Sequence, residues 1–451
     1  MQCINMNIII AGGGEVGYYL AKLLTKESHS IVLIDNRAKV LNRADSEMDL
    51  LTIHGNAYSI SILDKAGISD CDLLIAVTSS ETTNLTIATL GKQLGAKKTI
   101  ARVNNSEFLK LKDRLDLGKM GIDVIISPED LASKEIVRLL RRSSFSNAFD
   151  FEFGKLTLLG AYLTLDSVLL GRKFECLDTY NKKNNFTAIA IERDGDATIP
   201  NGDYVVQEGD HIFFLCKPAG IEEIREICGK AKLEVKNVMI MGGGNVGYNT
   251  AKKISRRKNV KLIESNEDRC LELADLLADT LIINDDGHDV HLLEDENISE
   301  MDAFIAVTGN SETNIMSCLV AKNHGVTKTI AMVENMDYIN LSQTIGIDTL
   351  INKKLIAANN IFRYVRQANI INIAGIHGLD AEVIEIQVQA GSSAANKVVK
   401  DMKLPEGAVL GGIIRSTEAW IAHDDLEILA ADKVVVFALP GAIKKTLEYF
   451  S

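Results

Sequence analysis

A glycine-rich stretch near the start of the chain has the residue types and the spacing that hold a phosphate group. Residues 8–17 have the sequence IIIAGGGEVG, in which Gly12, Gly14 and Gly17 follow a β-branched run with G-x-G-x-x-G spacing. In such a turn the first glycine permits a sharp bend, the second lets a pyrophosphate approach the backbone, and the third lets helix pack on strand. The N–H groups and dipole at the helix N-terminus favour negative charge. The stretch therefore predicts a strand, a phosphate-binding turn and a helix.

A carboxylate follows at the distance where such a unit meets a ribose. A second apolar strand, predicted over residues 31–34, ends at Asp35, at the spacing of about 20 residues expected for an acid that binds ribose hydroxyls. Glycine-rich turns also occur for purely structural reasons, and a glycine turn alone is therefore weak evidence for a nucleotide site. The acid at this spacing strengthens the assignment of the turn to a nucleotide site. An acid here favours NAD or another adenosine ligand over NADP, whose extra phosphate it would repel.

The same arrangement occurs a second time in the chain. The sequence MIMGGGNVGYNTA, which starts at Met239, repeats the first glycine turn with Gly242, Gly244 and Gly247 at an offset of 230 residues. Glu264 corresponds to Asp35, and DAFIAVTGNSETN repeats DLLIAVTSSETTN. Matching strands, turns and acids indicate tandem duplication of a whole domain.

Composition excludes several classes of protein. The 451 residues carry a net charge of −12, which disfavours binding to nucleic acid, and 46% of them are hydrophobic. No apolar run reaches the roughly 20 residues that a membrane span needs, and no secretory signal precedes the glycine turn. The seven cysteines are scattered singly, which suits a reducing cytosol. We therefore expect a cytoplasmic protein.

Strands that alternate with helices predict two tandem Rossmann-like domains of the α/β class, each a doubly wound parallel sheet. Each domain is followed by a crossover helix and a small α+β module, whose hairpin turns are indicated by Arg193-Asp-Gly and Pro200-Asn-Gly. The predicted boundaries are 6–127, 128–147 and 148–232 in the first half and 236–352, 353–370 and 371–451 in the second.

Each crossover helix has an apolar stripe that two interpretations fit. The stripes comprise Ala132, Ile136, Leu139 and Leu140 in the first copy and Ala357, Ile361, Tyr364 and Val365 in the second. Such a stripe is usually the core face of a helix in its own domain. It fits equally well an arm that crosses to a partner domain.

An oxidoreductase with a degenerate second half is the main alternative function. A nicotinamide dehydrogenase needs a substrate domain with a general acid or base, commonly His or Lys, and neither half supplies one. His288 and His291, near Asp285, Asp286 and Asp289, could form a metal cluster, although a solvated loop explains them more simply. We expect no catalytic residues and no metal.

The whole arrangement resembles the TrkA family, the tandem RCK/KTN (regulator of K⁺ conductance) subunits of Trk-type potassium uptake systems. The resemblance covers nearly the whole chain and includes HGNA at 54–57, AVT at 76–78, SETTN at 80–84 and IARV at 100–103. It implies NAD(H) or an adenine nucleotide (ATP or ADP) as a regulatory ligand. The implied contacts in the first copy are Gly12, Gly13, Gly14, Glu15, Val16, Gly17, Asp35, Asn56, Thr78, Ser79 and Arg102. Those in the second copy are Gly242, Gly243, Gly244, Asn245, Val246, Gly247, Glu264, Asp286 and Thr308.

The resemblance further implies a regulatory subunit that docks on an integral-membrane potassium transporter at the inner face of the cell membrane. It also implies a homo-oligomer of four tandem chains, hence eight Rossmann units.

The second copy departs from the family pattern at two places. Met332 stands where the first copy has Arg102, and Asp285-Asp286-Gly287 replaces the usual Gly-Asp-Ala, which predicts an altered turn. In the first copy Asn56 replaces that Asp, so a hydrogen-bonding group remains without its charge. Because methionine cannot bind phosphate as an arginine does, we expect the first site to bind polyphosphate ligands more tightly.

Overall fold

A computed structural model describes residues 6–25, 29–104, 108, 116–231, 233–335, 338, 346–365, 370–375 and 381–451. The first half begins with a six-stranded parallel sheet in the order β3-β2-β1-β4-β5-β6, the order of a Rossmann fold. The predicted α/β fold class is therefore confirmed. The strands are β1 (Asn7–Ala11), β2 (Ser30–Asp35), β3 (Leu51–His54), β4 (Leu73–Ala76), β5 (Lys98–Arg102) and β6 (Val124–Ile126). The helices of this domain include Glu15–Leu24, Ala38–Glu47, Ile60–Lys65 and Glu81–Gln93.

A five-stranded antiparallel sheet follows, in the order β10-β9-β11-β8-β7. Its strands are β7 (Asn147–Phe151), β8 (Leu156–Tyr162), β9 (Phe186–Arg193), β10 (Asp196–Thr198) and β11 (His211–Cys216), and its helices are Leu177–Tyr180 and Gly220–Ile227. The hairpin predicted at Arg193-Asp-Gly joins β9 to β10, with Asp194 at φ +56° and Gly195 at φ +89°. Two positive φ values are what a two-residue hairpin turn of this hand requires.

The second half repeats both sheets. Its parallel sheet has the order β14-β13-β12-β15-β16-β17, and its antiparallel sheet the order β18-β19-β24-β21-β22, with β20 paired to β23. The parallel strands are β12 (Asn237–Met241), β13 (Asn259–Glu264), β14 (Thr280–Asn284), β15 (Ala303–Ala306), β16 (Lys328–Met332) and β17 (Thr349–Ile351). The remaining strands are β18 (Ile370–Gly375), β19 (Glu382–Gln387), β20 (Lys397–Val398), β21 (Ala408–Arg415), β22 (Glu418–Ile421), β23 (Glu427–Ile428) and β24 (Lys433–Ala438). The helices include Asn245–Ile254, Glu267–Leu276, Val290–Asp295, Ser311–Asn323 and Ile443–Phe450.

The two crossover helices exchange partners. The first arm helix (Pro128–Arg141) buries its apolar stripe against Val246, Ala251 and Ile254 in the second Rossmann domain. The second arm helix (Lys353–Val365) buries its own stripe against the helix Glu15–Leu24 of the first. Each fully buried leucine or isoleucine contributes about 1.5–3 kcal/mol. The crossing arm is thus the correct interpretation of the stripes. The predicted continuation of the second helix over 366–369 lies outside the described residues.

The two antiparallel sheets pack face to face. Phe213 and Leu215 of the first sheet share one apolar cluster with Val383, Val435 and Phe437 of the second. The two halves therefore meet twice, once through the arms and once through these sheets.

Other expectations concern membrane spans and cysteines. Among the described helices, none combines the length and apolar character needed to cross a bilayer. The six cysteines in the described part of the chain form no disulfide, and burial raises the pKa of Cys71 to about 11 and that of Cys228 to about 12. Cys3 lies outside the described residues.

Candidate functional site

The three glycines of the first turn differ in what surrounds them. Gly12 has φ +109°, and a Cβ there would lie 2.8 Å from the backbone nitrogen of Thr78. A Cβ on Gly17 would lie 1.9 Å from the carbonyl oxygen of Gly12, so packing of helix on strand requires glycine. On Gly14 the nearest atom to a Cβ would be an Arg37 nitrogen at 4.0 Å. The turn is therefore closed at Gly12 and Gly17 and open at Gly14.

The second turn has the same geometry. Gly242 also has φ +109°, and a Cβ on Gly247 would again lie 1.9 Å from the preceding glycine carbonyl. A Cβ on Gly244 would meet nothing within 4 Å among the described residues. Gly14 and Gly244 are the N-caps of their helices and have no side chain to accept the first-turn N–H groups. In the described part of the chain, both turns therefore leave first-turn N–H groups without a side-chain cap, and such groups can bind an anion.

Asp35 lies beside the first turn with its carboxylate fully engaged. Oδ2 accepts the Gly13 N–H at 2.7 Å and Arg37 Nη2 at 3.0 Å. Oδ1 accepts the Arg37 N–H at 2.8 Å and Nε at 2.9 Å. Burial alone would raise the pKa of Asp35, but these hydrogen bonds from Arg37 and Gly13 lower it overall. Arg37 was not predicted as part of the site, although its place two residues after the acid was visible in the sequence.

Glu264 occupies the same place in the second copy without a guanidinium. Its Oε2 accepts the Gly243 N–H at 2.7 Å, and its Oε1 accepts the Asn266 N–H at 2.9 Å. Asn266 is the counterpart of Arg37. The nearby Arg269 donates instead to the Gly243 carbonyl at 3.0 Å. The two acids therefore hold the glycine turn alike but differ in charge neutralisation.

A buried asparagine fixes the strand ends on the other side of each turn. Asn84 Oδ1 accepts the N–H of Thr78 at 2.8 Å and its hydroxyl at 2.7 Å, while Asn84 Nδ2 donates to the Arg102 carbonyl at 2.9 Å. Asn314 makes the same bonds to Thr308 and to the Met332 carbonyl. The threonines are thus positioned beside the glycine turns. Recurrence of this asparagine in both copies was the signal that could have identified it.

The turn after the third strand keeps its backbone bonds in both copies, contrary to expectation. Gly55 N donates to Asp35 O at 3.0 Å, and the equivalent Asp285 N donates to Glu264 O at 3.2 Å. The two turns also share the bond made by the next residue: Asn56 O accepts the N–H of Ser59 at 2.9 Å, and Asp286 O that of Asp289 at 3.0 Å. The substitution changes side chains and leaves these backbone bonds in place.

Asp286 and Asn56 differ in what their side chains do. Hydrogen bonds from His288 lower the pKa of Asp286, and His288 Nε2 lies 2.9 Å from the Thr313 hydroxyl. Asn56 is exposed. Throughout the described part of the chain, no group of three His, Cys, Asp or Glu residues could hold a metal ion.

Arg102 is the last residue of β5, and its side chain extends toward the first turn of the first arm helix. Its Nη2 is 3.3 Å from Asn104 Oδ1 and 4.0 Å from Glu129 Oε1, while its buried Nε has no hydrogen-bond partner among the described residues. Met332, its counterpart, is 4% exposed and packs in an apolar cluster. A loosely held guanidinium in one copy is thus replaced by a core side chain in the other.

The remaining predicted site residues differ in how exposed their side chains are. Val16 and Val246 are buried in the core, so only their backbone faces the turn. Glu15, Asn245 and Ser79 are exposed.

Comparison with protein families finds the same two family domains in both halves of the chain. The TrkA-N domain model matches residues 8–128 and 238–353, and the TrkA-C domain model matches 160–229 and 383–451.

Relatives that match along nearly the whole chain, and solved structures, agree with this domain assignment. The Trk system potassium uptake protein TrkA of Vibrio alginolyticus is 33% identical over 96% of this chain and 95% of its own. Trk system potassium uptake protein TrkA homolog 2 of Methanosarcina mazei is 31% identical over 99% of this chain and 100% of its own. The GsuK RCK domain has a TM-score of 0.60 at 15% identity, covering 99% of this chain and 95% of that chain, which shows the shared fold. The chain therefore belongs to the TrkA family of regulatory subunits of Trk potassium uptake systems.

Proposed function

We propose that both glycine turns bind NAD(H) or an adenine nucleotide, and that the bound nucleotide regulates a membrane potassium transporter. The observation that carries the proposal is the open face over Gly14 and Gly244, each beside unpaired helix N–H groups and a ribose-side carboxylate. The GsuK channel, which shares the fold, has been solved bound to NAD (TM-score 0.61) and bound to ADP (TM-score 0.51).

Regulation would work by population shift. Because each arm helix packs against the glycine-turn helix of the other Rossmann domain, a ligand that tightens one turn changes the surface on which the opposite arm lies. A nucleotide that favours one orientation of the two domains then biases the whole chain toward it. We propose that the chain docks on the transporter from the cytoplasm, at the inner face of the membrane, and performs no covalent chemistry.

Exposed apolar side chains support assembly into a homo-oligomer of four chains. Leu51 is 57% exposed and its counterpart Leu281 54%, while Ile60 is 53% exposed and Val290 38%. Apolar exposure at equivalent positions of two copies is expected of an assembly surface. Light scattering should give a species larger than a dimer, and a monomer at all micromolar concentrations would contradict it.

Two measurements test the regulatory function together. Calorimetry should show binding of NADH, ATP or ADP without turnover of the nicotinamide, and a pull-down from solubilised membranes should recover a potassium transporter in a nucleotide-dependent amount. Steady oxidation of NADH with a small substrate would favour an oxidoreductase. Nucleotide binding with an unrelated partner would instead indicate a free-standing sensor.

A further inference from the structure

The first turns of the two arm helices lie between the Rossmann domains and carry opposite charges at equivalent positions. Glu129, one residue into the first arm helix, is 8% exposed and faces Arg102 and Lys353, with Lys353 Nζ 3.7 Å from its Oε1. Lys354, its counterpart in the second arm helix, is 22% exposed. The duplicated position therefore holds an acid in the first copy and a base in the second.

Lys354 is bound to the first glycine turn. Its Nζ donates to Glu15 Oε2 at 2.5 Å and to Glu334 Oε2 at 3.0 Å. Glu15 opens the helix Glu15–Leu24, and Glu334 follows β16 of the second Rossmann domain. Lys354 thus links the first glycine turn to the opposite domain through one ammonium group.

A phosphate at the first turn would lie among the same charges. The helix N–H groups that attract it start at Glu15, whose carboxylate is 64% exposed and would repel it. Lys354 is the cation that offsets this repulsion. Although burial lowers the pKa of Lys354, its hydrogen bonds to Glu15 and Glu334 raise it overall, so the group stays charged.

We propose that Lys354 binds the terminal phosphate of an adenosine polyphosphate in the first site, exchanging Glu15 for the ligand. The inference rests on the proposed nucleotide binding at that turn. Exchange breaks the Lys354–Glu15 ion pair and keeps the Lys354–Glu334 pair, so the ligand itself then connects the first glycine turn to the opposite Rossmann domain. A terminal phosphate carries more charge than a dinucleotide pyrophosphate, so ATP gains more from Lys354 than NAD does.

Among the described residues, the second site has no charged equivalent of this link. Its turn residue Asn245 is neutral and donates to the Asn104 carbonyl of the first domain at 3.4 Å. The proposed exchange is therefore a property of the first site alone.

Calorimetry on the full chain tests the proposal, with Glu264→Ala present in every variant to weaken the second site. Lys354→Gln should weaken ATP binding about tenfold, the size of one charge-assisted bond, and leave adenosine binding within about twofold. Glu15→Gln should act in the opposite direction and strengthen ATP binding by about threefold or more, because Lys354 loses a competitor. Lys22→Gln, at the far end of the same helix, is the control for charge alone.

The outcomes separate the two proposals. If neither ATP nor adenosine binds the Glu264→Ala parent, the nucleotide site itself is wrong. If both bind the parent and Lys354→Gln retains the parental ATP affinity, or Glu15→Gln weakens ATP binding, the exchange is wrong while the site stands. Equal losses of ATP and adenosine in Lys354→Gln would show that the lysine only supports the fold.

Discussion

The two glycine turns share one backbone geometry and one carboxylate, and they differ in the cations beside them. In both, the first glycine has φ +109° and the third leaves no room for a Cβ. Beside the first turn Arg37 binds Asp35 and Lys354 binds Glu15, and Arg102 ends β5. The second copy has Asn266 and Met332 in place of the two arginines, and its Arg269 donates to the Gly243 carbonyl. Packing of strand against helix constrains the glycines, because any Cβ clashes with backbone. The open rim has no such constraint, so the duplicated sites diverged there.

Asp35 and Glu264 also differ in how many lone pairs their carboxylates leave free for a ligand. A carboxylate has about four lone-pair positions, and Asp35 uses four, three of them for Arg37. Glu264 accepts two backbone N–H groups and a Ser265 hydroxyl at 3.5 Å, which leaves room for a ribose hydroxyl. We therefore expect the first site to favour phosphate through its cations and the second to favour ribose through the remaining lone pair of Glu264.

Alanine at the glycines should produce the largest effect. Gly17→Ala forces a Cβ against the Gly12 carbonyl and should lower the free energy of unfolding of the first domain by about 3 kcal/mol, the upper end for overpacking. Gly14→Ala adds its methyl group to open space, so the fold should stay intact while nucleotide binding is lost. Thermal unfolding and calorimetry on both variants measure the contrast.

Gly247→Ala and Gly244→Ala are the matched pair in the second copy. Because the surroundings are the same, each should behave as its counterpart does. A Gly14→Ala protein that unfolds as readily as Gly17→Ala would show that the turn is structural throughout.

Removal of Asp35 or Glu264 should weaken adenosine binding by different amounts at the two sites. Glu264→Ala deletes a carboxylate with capacity for ribose and should cost about 1.5–3 kcal/mol of adenosine binding at the second site. Asp35→Ala should cost less at the first site, since a ribose there must first displace Arg37. Calorimetry with adenosine on each variant gives both losses. A larger loss for Asp35→Ala would mean that Arg37 moves away freely.

Exchange of Arg102 and Met332 should not be symmetrical. Arg102→Met removes a guanidinium with an unpartnered Nε and should weaken ATP binding at the first site by about 1.5–3 kcal/mol. Met332→Arg instead places a charge at a 4% exposed position and should destabilise the second domain without creating a phosphate site. Titration with ATP and thermal unfolding test the two halves. Unchanged ATP affinity in Arg102→Met would assign the arginine to a structural pair with Glu129.

The sequence was sufficient for the fold because its strongest signals are local. Glycine spacing, β-branched runs and the offset of 230 residues depend on neighbours along one chain, and the strand predicted over 31–34 lies within β2 (Ser30–Asp35). The arm stripes were equally visible, but a stripe does not identify its partner. The exchange depends on which apolar surface, Val16 and Leu20 or Val246 and Ile254, lies within reach of each helix.

For the candidate nucleotide sites, too, the sequence predicted local features and missed contacts between distant residues. Asp35 and the glycines followed from spacing, whereas the bond from Arg37 to Asp35 depends on side-chain direction and the bond from Lys354 to Glu15 on contact between the two halves. Lys354 is 339 residues from Glu15 in the chain, so no local pattern could pair them.

The smallest expected effect concerns Arg37, which is 57% exposed while it holds both oxygens of Asp35. An exposed ion pair contributes about 0–1 kcal/mol, so Arg37→Asn, which copies the second site, should strengthen NAD⁺ binding by fivefold at most as Asp35 becomes free for the ribose. The same variant should weaken NADP⁺ binding, because the uncompensated acid repels the 2′-phosphate that Arg37 would otherwise accommodate. The ratio of the two affinities, measured with Asn266→Arg as the reciprocal variant, is the sensitive quantity. A parallel loss of NAD⁺ and NADP⁺ binding in Arg37→Asn would show that Arg37 contacts a group common to both ligands, and that the carboxylate beside it is not the part of the site that distinguishes them.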